Sequence, residues 1–331
     1  PRPTLRELGV PVGRFRPGVN NAITDVRGVK VGHVTKIERE VKAPGLTGRT
    51  NVCTGVTAIV PATGDIFLRR LVAGGFVLNG IGEMSGLTQV LEWEFLETPI
   101  LLTNSLSVGR VHSGVISHIA RKHPHMGIET DVVLPLVAET DDSYLNDIRA
   151  GMNTAQDAMT AIDAARTGPV PQGSVGAGTG MITCDFAGGI GTSSRAVAIG
   201  HHEFTLGVLV LSNFGRMRNL TIDGRVVGRD LDGRFTGPRR EETYGSIIVV
   251  VATDAPLLSN QLSRLSKRAA LGLGRVGSHA APSSGEIIIG FSTANRVPRA
   301  PAKPDRLLNL RFISDRYIDT LYEAVIEATE E

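Results

Sequence analysis

The sequence predicts a layered fold of the α/β or α+β class, because two kinds of segment alternate along it. The first kind is an unbroken run of Val, Ile and Leu, such as residues 247–252, which is typical of a strand buried on both faces. The second kind repeats its apolar residues at helical spacing. The chain has 331 residues and no internal repeat, so it can bury a large core, and we expect one domain over residues 1–331.

The apolar runs define the expected strands, and the periodic segments between them define the helices. Strands are expected at residues 57–61, 76–78, 99–103, 131–138, 196–201, 206–211, 246–252 and 286–292. A first helix follows Val108 and stops before Pro124, and Asn153 is expected to cap a second that ends at Gly168. Asp254 is expected to cap a third, and the last helix should begin near Ser314.

The junction between Gly245 and Ser246 is the most informative point in the chain. Residues 223–244 are rich in glycine and charge without any period, so they are expected to form an exposed linker. A core strand begins immediately afterwards. If the bond before Ser246 is cut, its hydroxyl and its new α-amine belong to one residue, which gives a nucleophile with its own base.

Residues 246–292 should form a strand, a helix and a second strand, and a single helical crossover implies that the two strands are parallel. Their first residues then lie at the same edge of the sheet. Ser284 and Glu286 open the second strand, and a spacing of two places both on one face of it. We therefore expect Ser246, Ser284 and Glu286 to lie close together. An α-amine titrates near pH 7.7–8.0, so it can accept the hydroxyl proton at physiological pH.

Composition excludes several classes of function. The net charge of +2 gives no field that would attract nucleic acid, and no apolar stretch approaches the roughly 20 residues of a membrane span. The cysteines Cys53 and Cys184 and the adjacent pair His201 and His202 lack metal-ligand spacing, so no metal site is expected. The glycine-rich residues 173–180 lack the Lys-Ser/Thr ending of a phosphate-binding loop. No signal peptide is visible, so the cytoplasm is expected, or the periplasm if a signal was removed before residue 1.

Motifs distributed over nearly the whole chain carry a family resemblance. They are Asn-Ala-Ile-Thr-Asp-Val-Arg-Gly-Val-Lys-Val-Gly-His (21–33), Val-Leu-Asn-Gly-Ile-Gly-Glu (77–83), Leu-Thr-Asn-Ser-Leu-Ser-Val-Gly (102–109), Gly-Ser-Val-Gly-Ala-Gly-Thr-Gly (173–180), Gly-Gly-Ile-Gly-Thr-Ser-Ser-Arg (188–195), Gly-Ser before its apolar strand, Ser-Gly-Glu (284–286) and Phe-Ser-Thr-Ala-Asn (291–295). With these motifs the chain resembles the self-processing serine hydrolases that include L-aminopeptidase/D-amidase/D-esterases and β-peptidyl aminopeptidases.

The resemblance implies an αββα sandwich, in which two packed sheets are flanked by helices, related to the ornithine acetyltransferase-like fold. It implies self-cleavage between Gly245 and Ser246 into an α subunit of residues 1–245 and a β subunit of residues 246–331. The mature enzyme would be an oligomer of αβ heterodimers, expected to be a tetramer. No cofactor is expected, and the substrate would be a short peptide, amide or ester with a free amine.

Roles for individual residues also follow from the resemblance. Ser246 would be the nucleophile, with Ser284 and Glu286 as its supporting network. Asn213, in Val-Leu-Ser-Asn-Phe-Gly, matches the asparagine that stabilises the oxyanion. Tyr144 matches a tyrosine near the nucleophile, and Glu139 would bind the ammonium group of the substrate.

Two rival functions remain open at this point. An acyltransferase of the ornithine acetyltransferase type shares the self-cleaving architecture, although that family cleaves before threonine and this chain has serine at position 246. A protein that binds a small ligand without catalysis would use the glycine-rich loops instead, and Ser246 would then resist acylating reagents. The sequence leaves the preference for L-, D- or β-amino residues undecided, because the shape of the pocket determines it.

Overall fold

The computed structural model describes residues 3–43, 46–235, 245–299 and 307–331. The strands are β1 Lys30–Val41, β2 Thr50–Val60, β3 Arg69–Gly80, β4 Met84–Ser85, β5 Phe95–Leu96, β6 Ile100–Asn104, β7 Leu136–Thr140, β8 Ile182–Thr183, β9 Phe186–Ala187, β10 Gly189–Ile199, β11 His202–Asn213, β12 Gly245–Thr253 and β13 Ser284–Pro298. The helices are α1 Leu87–Trp93, α2 Val108–Lys122, α3 Ala155–Asp163, α4 Gly228–Asp232, α5 Ser259–Arg275 and α6 Asp319–Glu330. No described helix has the length and apolar character needed to cross a membrane.

Two sheets form the centre of the fold as the described residues show it. One contains β1-β2-β6-β7-β4 in that order, and the other contains β10-β11-β12-β13-β3-β5. A core that includes Ile59 and Leu102 from the five-stranded sheet and Val250 and Ile289 from the six-stranded sheet joins their inner faces. The sheets therefore pack face to face, as sandwiches do.

Helices cover both outer faces. Helices α2 and α3 pack on the five-stranded sheet through residues such as Val111, Val115 and Ala161. Helices α5 and α6 pack on the six-stranded sheet through Leu265 and Leu321, among others. The layers run helix, sheet, sheet, helix, so the αββα arrangement is confirmed.

Strand β12 lies in the middle of the six-stranded sheet and is buried along its whole length. It pairs antiparallel with β11 and parallel with β13, and α5 makes the connection between β12 and β13. The expected parallel pair is therefore confirmed. Along β12, Ile248 faces the other sheet, whereas Ile247 faces the helices, so both sides of the strand read as apolar in the sequence.

Several local expectations are wrong. Asp254 does not cap α5, since its carboxylate accepts a hydrogen bond from Thr205 N at 2.7 Å and the helix begins only at Ser259. Asn153 does not cap α3. That role falls to Thr154, which accepts from Asp157 N in a capping box.

Two further segments also differ from expectation. Residues 131–135 are not part of strand β7. Within the supposed linker at 223–244, Gly228–Asp232 forms one turn of helix, and residues 236–244 lie outside the described part of the chain.

We expect the contact between α5 and β3 to be intolerant of even a methyl group at Gly74. A Cβ there would lie 2.5 Å from Ser263 Oγ and 2.6 Å from Ser259 O. Gly74→Ala should lower the free energy of unfolding by about 1–3 kcal/mol, because overpacking forces backbone shifts. Gly191→Ala in β10 is the control, since nothing lies within 4 Å of its Cβ position. Equal denaturation midpoints for the two variants would show that the space between α5 and Gly74 of β3 can accommodate a methyl group.

Candidate active site

Ser246 is the second residue of β12 and is only 6% exposed. In the sheet it lies directly opposite Asn213 of β11 on one side and Gly285 of β13 on the other. Residues directly opposite each other in a sheet point to the same face. The alternation along β12 places Ser246 on the face that packs against the five-stranded sheet, at the edge of that interface.

Asn213 ends β11 and is fully buried. Its Oδ1 accepts a hydrogen bond from Ile182 N at 3.1 Å, and its Nδ2 donates to the carbonyl oxygen of Asp141 at 2.7 Å. A backbone N–H can only donate and a carbonyl can only accept, so these bonds fix which way the amide points. Its nitrogen is therefore held on the same face as the Ser246 side chain.

Ser284 and Glu286 are adjacent, as expected, and the Ser284 hydroxyl donates to Glu286 Oε1. The register, however, pairs Ser246 with Gly285 and Gly245 with Ser284. Both side chains therefore lie on the face of the sheet opposite that of Ser246, on the side of helix α5. The main-chain nitrogen of Ser246 lies between the two faces, because the backbone runs in the plane of the sheet.

Glu286 is fully buried, and its Oε2 accepts no hydrogen bond from the residues that the structure describes. Burial raises the pKa of this carboxyl, while the Ser284 hydroxyl, the Asn79 amide and the charge of His279 act in the opposite direction. Asn79 lies directly opposite Glu286 on β3. His279, Phe214, Ser284 and Gly245 also line a small cleft beside the Gly245–Ser246 bond.

Glu139 lies near the carboxyl end of β7 and is buried. Its Oε1 accepts from Glu83 N at 2.9 Å, and its Oε2 accepts from the Ser105 hydroxyl. Gly82 lies between Glu139 and β13, because a Cβ at Gly82 would lie 3.2 Å from Glu139 Oε1 and 3.7 Å from the Cα of Gly285. Only Gly82 therefore lies between the Glu139 carboxylate and Gly285, the residue that pairs with Ser246 in the sheet.

Tyr144 lies on the segment that follows β7, and its side chain is 43% exposed. The same segment contains Asp141, whose carbonyl holds Asn213. Tyr144 is thus three residues away along the chain from the carbonyl group that binds the Asn213 amide.

A cavity of about 500 Å³ is lined by Tyr144 together with Asn146 and Arg149. A cavity of about 350 Å³ is lined by residues such as Val208, Leu273 and Ala328 and does not include Ser246. The described residues contain no cluster of His, Cys, Asp and Glu that could hold a metal ion.

The profile of peptidase family S58 matches residues 21–331. The chain belongs to this family. It is 40% identical to the β-peptidyl aminopeptidase BapA of Sphingosinicella xenopeptidilytica, over 99% of this chain and 83% of that protein. Members of the family are peptidases, so the chain is a hydrolase of the serine aminopeptidase and amidase type.

Solved structures agree with this assignment. The PH0078 protein of Pyrococcus horikoshii OT3 superposes with a TM-score of 0.91 at 45% identity, covering 99% of this chain and 89% of that one. The L-aminopeptidase D-Ala-esterase/amidase of Ochrobactrum anthropi superposes with a TM-score of 0.88 at 38% identity, covering 99% and 88%. That structure is described as a prototype of the serine aminopeptidases and as a new variant of the Ntn hydrolase fold.

Two groups at the site were not identified from the sequence. Ser105 donates to Glu139, and the Asp141 carbonyl accepts from Asn213. The motif Leu-Thr-Asn-Ser (102–105) contained a signal for the first, because it places polar side chains directly after a buried strand. A main-chain carbonyl has no sequence signature, so the second could only be found from the fold.

Replacing Glu286 with Gln should make the protein more stable at neutral pH. Burial raises the pKa of Glu286, so the folded state disfavours the ionised form. This cost is absent below about pH 4, where the carboxyl is protonated in both states, and it develops as the pH rises towards the folded pKa. Glu286→Gln should therefore unfold at a higher temperature than the wild type at pH 7, and the difference should shrink towards pH 4.

Glu203→Gln is the matched control, because Glu203 is an exposed carboxylate of β11 that pairs with Arg16 at 3.2 Å. It should change the unfolding temperature little at any pH. A Glu286→Gln protein that is less stable at pH 7, or whose difference from the wild type does not vary with pH, would contradict the expectation.

Proposed function

We propose that the chain cleaves itself between Gly245 and Ser246 and then uses Ser246 to remove N-terminal residues from short peptides, amides or esters. The observation that carries this proposal is the register of β12, which sets a buried serine opposite a buried asparagine amide at the start of a central strand. The names of the relatives, a β-peptidyl aminopeptidase and an L-aminopeptidase D-Ala-esterase/amidase, support the substrate class.

Self-cleavage requires only groups of the chain and one water. The Ser246 hydroxyl adds to the Gly245 carbonyl, its proton passes to the Ser246 nitrogen, and the C–N bond breaks. An ester then joins Gly245 to Ser246 Oγ. Water hydrolyses this ester, which releases the Gly245 carboxylate and leaves Ser246 with a hydroxyl and an α-amine.

Turnover uses the new α-amine as the base. It accepts the proton of the hydroxyl as Oγ attacks the substrate carbonyl, and it returns the proton to the leaving amine or alcohol. Water then hydrolyses the acyl-enzyme and restores the hydroxyl. Since the nitrogen of Ser246 lies in the plane of the sheet, Ser284 and Glu286 can reach the amine from one face while the hydroxyl acts on the other.

Asn213 has the geometry of an oxyanion donor. Its nitrogen lies on the same face as the Ser246 side chain, and Asp141 holds it in place with one of the two amide hydrogens. We assign this amide the role of donor to the oxyanion that forms on the substrate carbonyl. Removing such a donor costs about 10²–10³ in kcat in comparable sites.

Glu139 is the proposed partner of the substrate ammonium group. Its carboxylate is buried and lies near Gly285, which pairs with Ser246. An anion at this point favours substrates with a free amine over internal peptide bonds, which is the selectivity of an aminopeptidase. Tyr144, on the exposed side of the same region, would contact the substrate near the nucleophile.

Assembly and compartment stay predictions. The tetramer of αβ heterodimers rests on the sequence resemblance, and the location, cytoplasmic or periplasmic, stays an expectation from the sequence. The absence of nucleic-acid binding rests on the net charge of +2.

Ser246→Ala should abolish both self-cleavage and hydrolysis, because it removes the hydroxyl that attacks the Gly245 carbonyl and the substrate carbonyl. Denaturing electrophoresis and intact mass should show one chain of 331 residues, whereas the wild type should give fragments of residues 1–245 and 246–331. Ser174→Ala alters another Gly-Ser pair, on an exposed loop, and should be cleaved and active like the wild type. Fragments of those two masses from the Ser246→Ala protein would disprove the assignment.

Glu139→Gln should raise KM for substrates with a free amine by about 10- to 100-fold, the usual worth of a hydrogen bond to a charged group. Burial raises the pKa of Glu139, as do the charges of Asp141 and Glu83, against hydrogen bonds from Ser105 and the Glu83 backbone. Only the ionised form attracts an ammonium group, so the wild-type KM should rise as the pH falls through this raised pKa. The variant should lose that dependence.

The N-acetylated form of the same substrate provides the control, because it has no ammonium group. Wild type and Glu139→Gln should process it at the same low rate, and Glu92→Gln, which alters an exposed glutamate of α1, should resemble the wild type on both substrates. An unchanged KM for the free-amine substrate would exclude Glu139 as its partner.

A further inference from the structure

A buried carboxylate that the mechanism does not use lies beside the site. Asp142 follows β7 and has no exposed surface. Its Oδ2 accepts hydrogen bonds from Thr54 Oγ1 at 2.5 Å and Asn104 Nδ2 at 3.0 Å, and its Oδ1 accepts from Asn146 Nδ2 at 2.9 Å. All three donors are neutral side chains, and they come from β2, from β6 and from the segment that contains Asp142 itself.

The donors are themselves tied into the sheet. Thr54 Oγ1, which donates to Asp142, accepts hydrogen bonds from Asn104 Nδ2 and Asn153 Nδ2, each at 3.0 Å. Asn146 Oδ1 accepts from Cys53 N at 3.0 Å. We call Thr54, Asn104, Asp142, Asn146 and Asn153 the Asp142 cluster. A buried carboxylate is costly unless hydrogen bonds satisfy it, so this cluster holds the chain after β7 in one position.

That position matters because of the peptide bond between Asp141 and Asp142. The bond is planar, so the carbonyl of Asp141 cannot turn independently of the nitrogen of Asp142. The same carbonyl accepts the 2.7 Å hydrogen bond from Asn213 Nδ2. Thr54 and Asn104 thus bind the Asp142 carboxylate, and the rigid peptide group between Asp141 and Asp142 connects that residue to the Asn213 amide, which faces Ser246.

We propose that Asp142 is a positioning residue of this enzyme, which acts through the Asp141 carbonyl to aim the Asn213 amide at the oxyanion. The inference rests on the role proposed for Asn213. Asp142 itself touches neither the nucleophile nor the substrate in this assignment. Its contribution is to keep the amide from turning when charge develops on the substrate.

Replacing the carboxylate with an amide of the same shape disrupts the cluster. An asparagine at position 142 has one acceptor oxygen and one NH₂ group, and that NH₂ group would face the NH₂ of either Asn104 or Asn146. With the neighbouring amides oriented as they are here, a shift of the peptide group between residues 141 and 142 would separate the two donors. A displacement of about 1 Å in a catalytic group can cost about 10²-fold in rate.

The experiment compares Asp142→Asn and Thr54→Val with Thr54→Ser and Asp254→Asn, alongside the wild type and Ser246→Ala. Thr54→Ser keeps the hydroxyl that donates to Asp142. Asp254 is the matched carboxylate at the other end of β12, where it accepts from Thr205 N and burial likewise raises its pKa. For each protein one measures the rate of self-cleavage, kcat and KM on a free-amine p-nitroanilide, and the unfolding temperature.

The expected result is a loss of about 10- to 100-fold in kcat, and in the cleavage rate, for Asp142→Asn and Thr54→Val, with KM changed less than about threefold. Thr54→Ser should retain most of the activity. Asp254→Asn should retain kcat, whatever its effect on the unfolding temperature. A role that is only structural would instead lower the unfolding temperature of Asp142→Asn and Asp254→Asn alike without a selective loss in kcat.

A folded Asp142→Asn or Thr54→Val protein with wild-type kcat and cleavage rate overturns the proposal, and so does an equal loss of kcat in Asp254→Asn. If Asp142→Asn fails to fold, the comparison of Thr54→Val with Thr54→Ser decides the question. A wild-type protein that is neither cleaved nor active under the same conditions would instead refute the proposed function, and with it the role of Asn213.

Discussion

The central constraint on this molecule is the position of β12 in the six-stranded sheet. The strand pairs with β11 on one side and β13 on the other, and β13 pairs in turn with β3. Strands from residues 1–245 therefore enclose the two strands that follow Gly245. A cut before Ser246 would leave all of these pairings and the apolar cores in place, so the proposed cleavage is compatible with the fold.

This arrangement also places the groups of the proposed mechanism on two faces of one sheet. The Ser246 hydroxyl and the Asn213 amide lie on the face towards the other sheet, whereas Ser284 and Glu286 lie on the face towards α5. A terminal amine in the plane of the sheet is accessible from both. The buried carboxyl groups of this region reduce the stability of the fold at neutral pH, since burial raises the pKa of Glu139, Asp142 and Glu286 alike. Such departures from good packing are expected where function opposes stability.

The sequence predicted the strands that are apolar on both faces, and with them the parallel pair that opens at Ser246 and Ser284. It did not predict β1, because the residues at its exposed end, such as Glu38 and Arg39, carry charge where a buried strand would be apolar. It placed Ser284 and Glu286 on one face correctly, but alternation within a strand leaves the register against its neighbour open. Because Ser246 pairs with Gly285 and not with Ser284, the side chains of Ser284 and Glu286 lie on the opposite face of the sheet from the Ser246 side chain.

The Asp142 cluster lay beyond sequence reasoning for a different reason. Its members are spread from Thr54 to Asn153, and only the packing of β2 and β6 against the segment after β7 brings them together. An apolar cluster of the same size would stabilise the fold at lower cost, because replacing buried polar groups with well-packed apolar ones is often neutral or favourable. Hydrogen bonds add direction, which apolar contacts lack. If Asn213 has the proposed role, a site that depends on the direction of one amide gains from polar groups behind it, and the proposal then explains why a carboxylate is buried at this point of the fold.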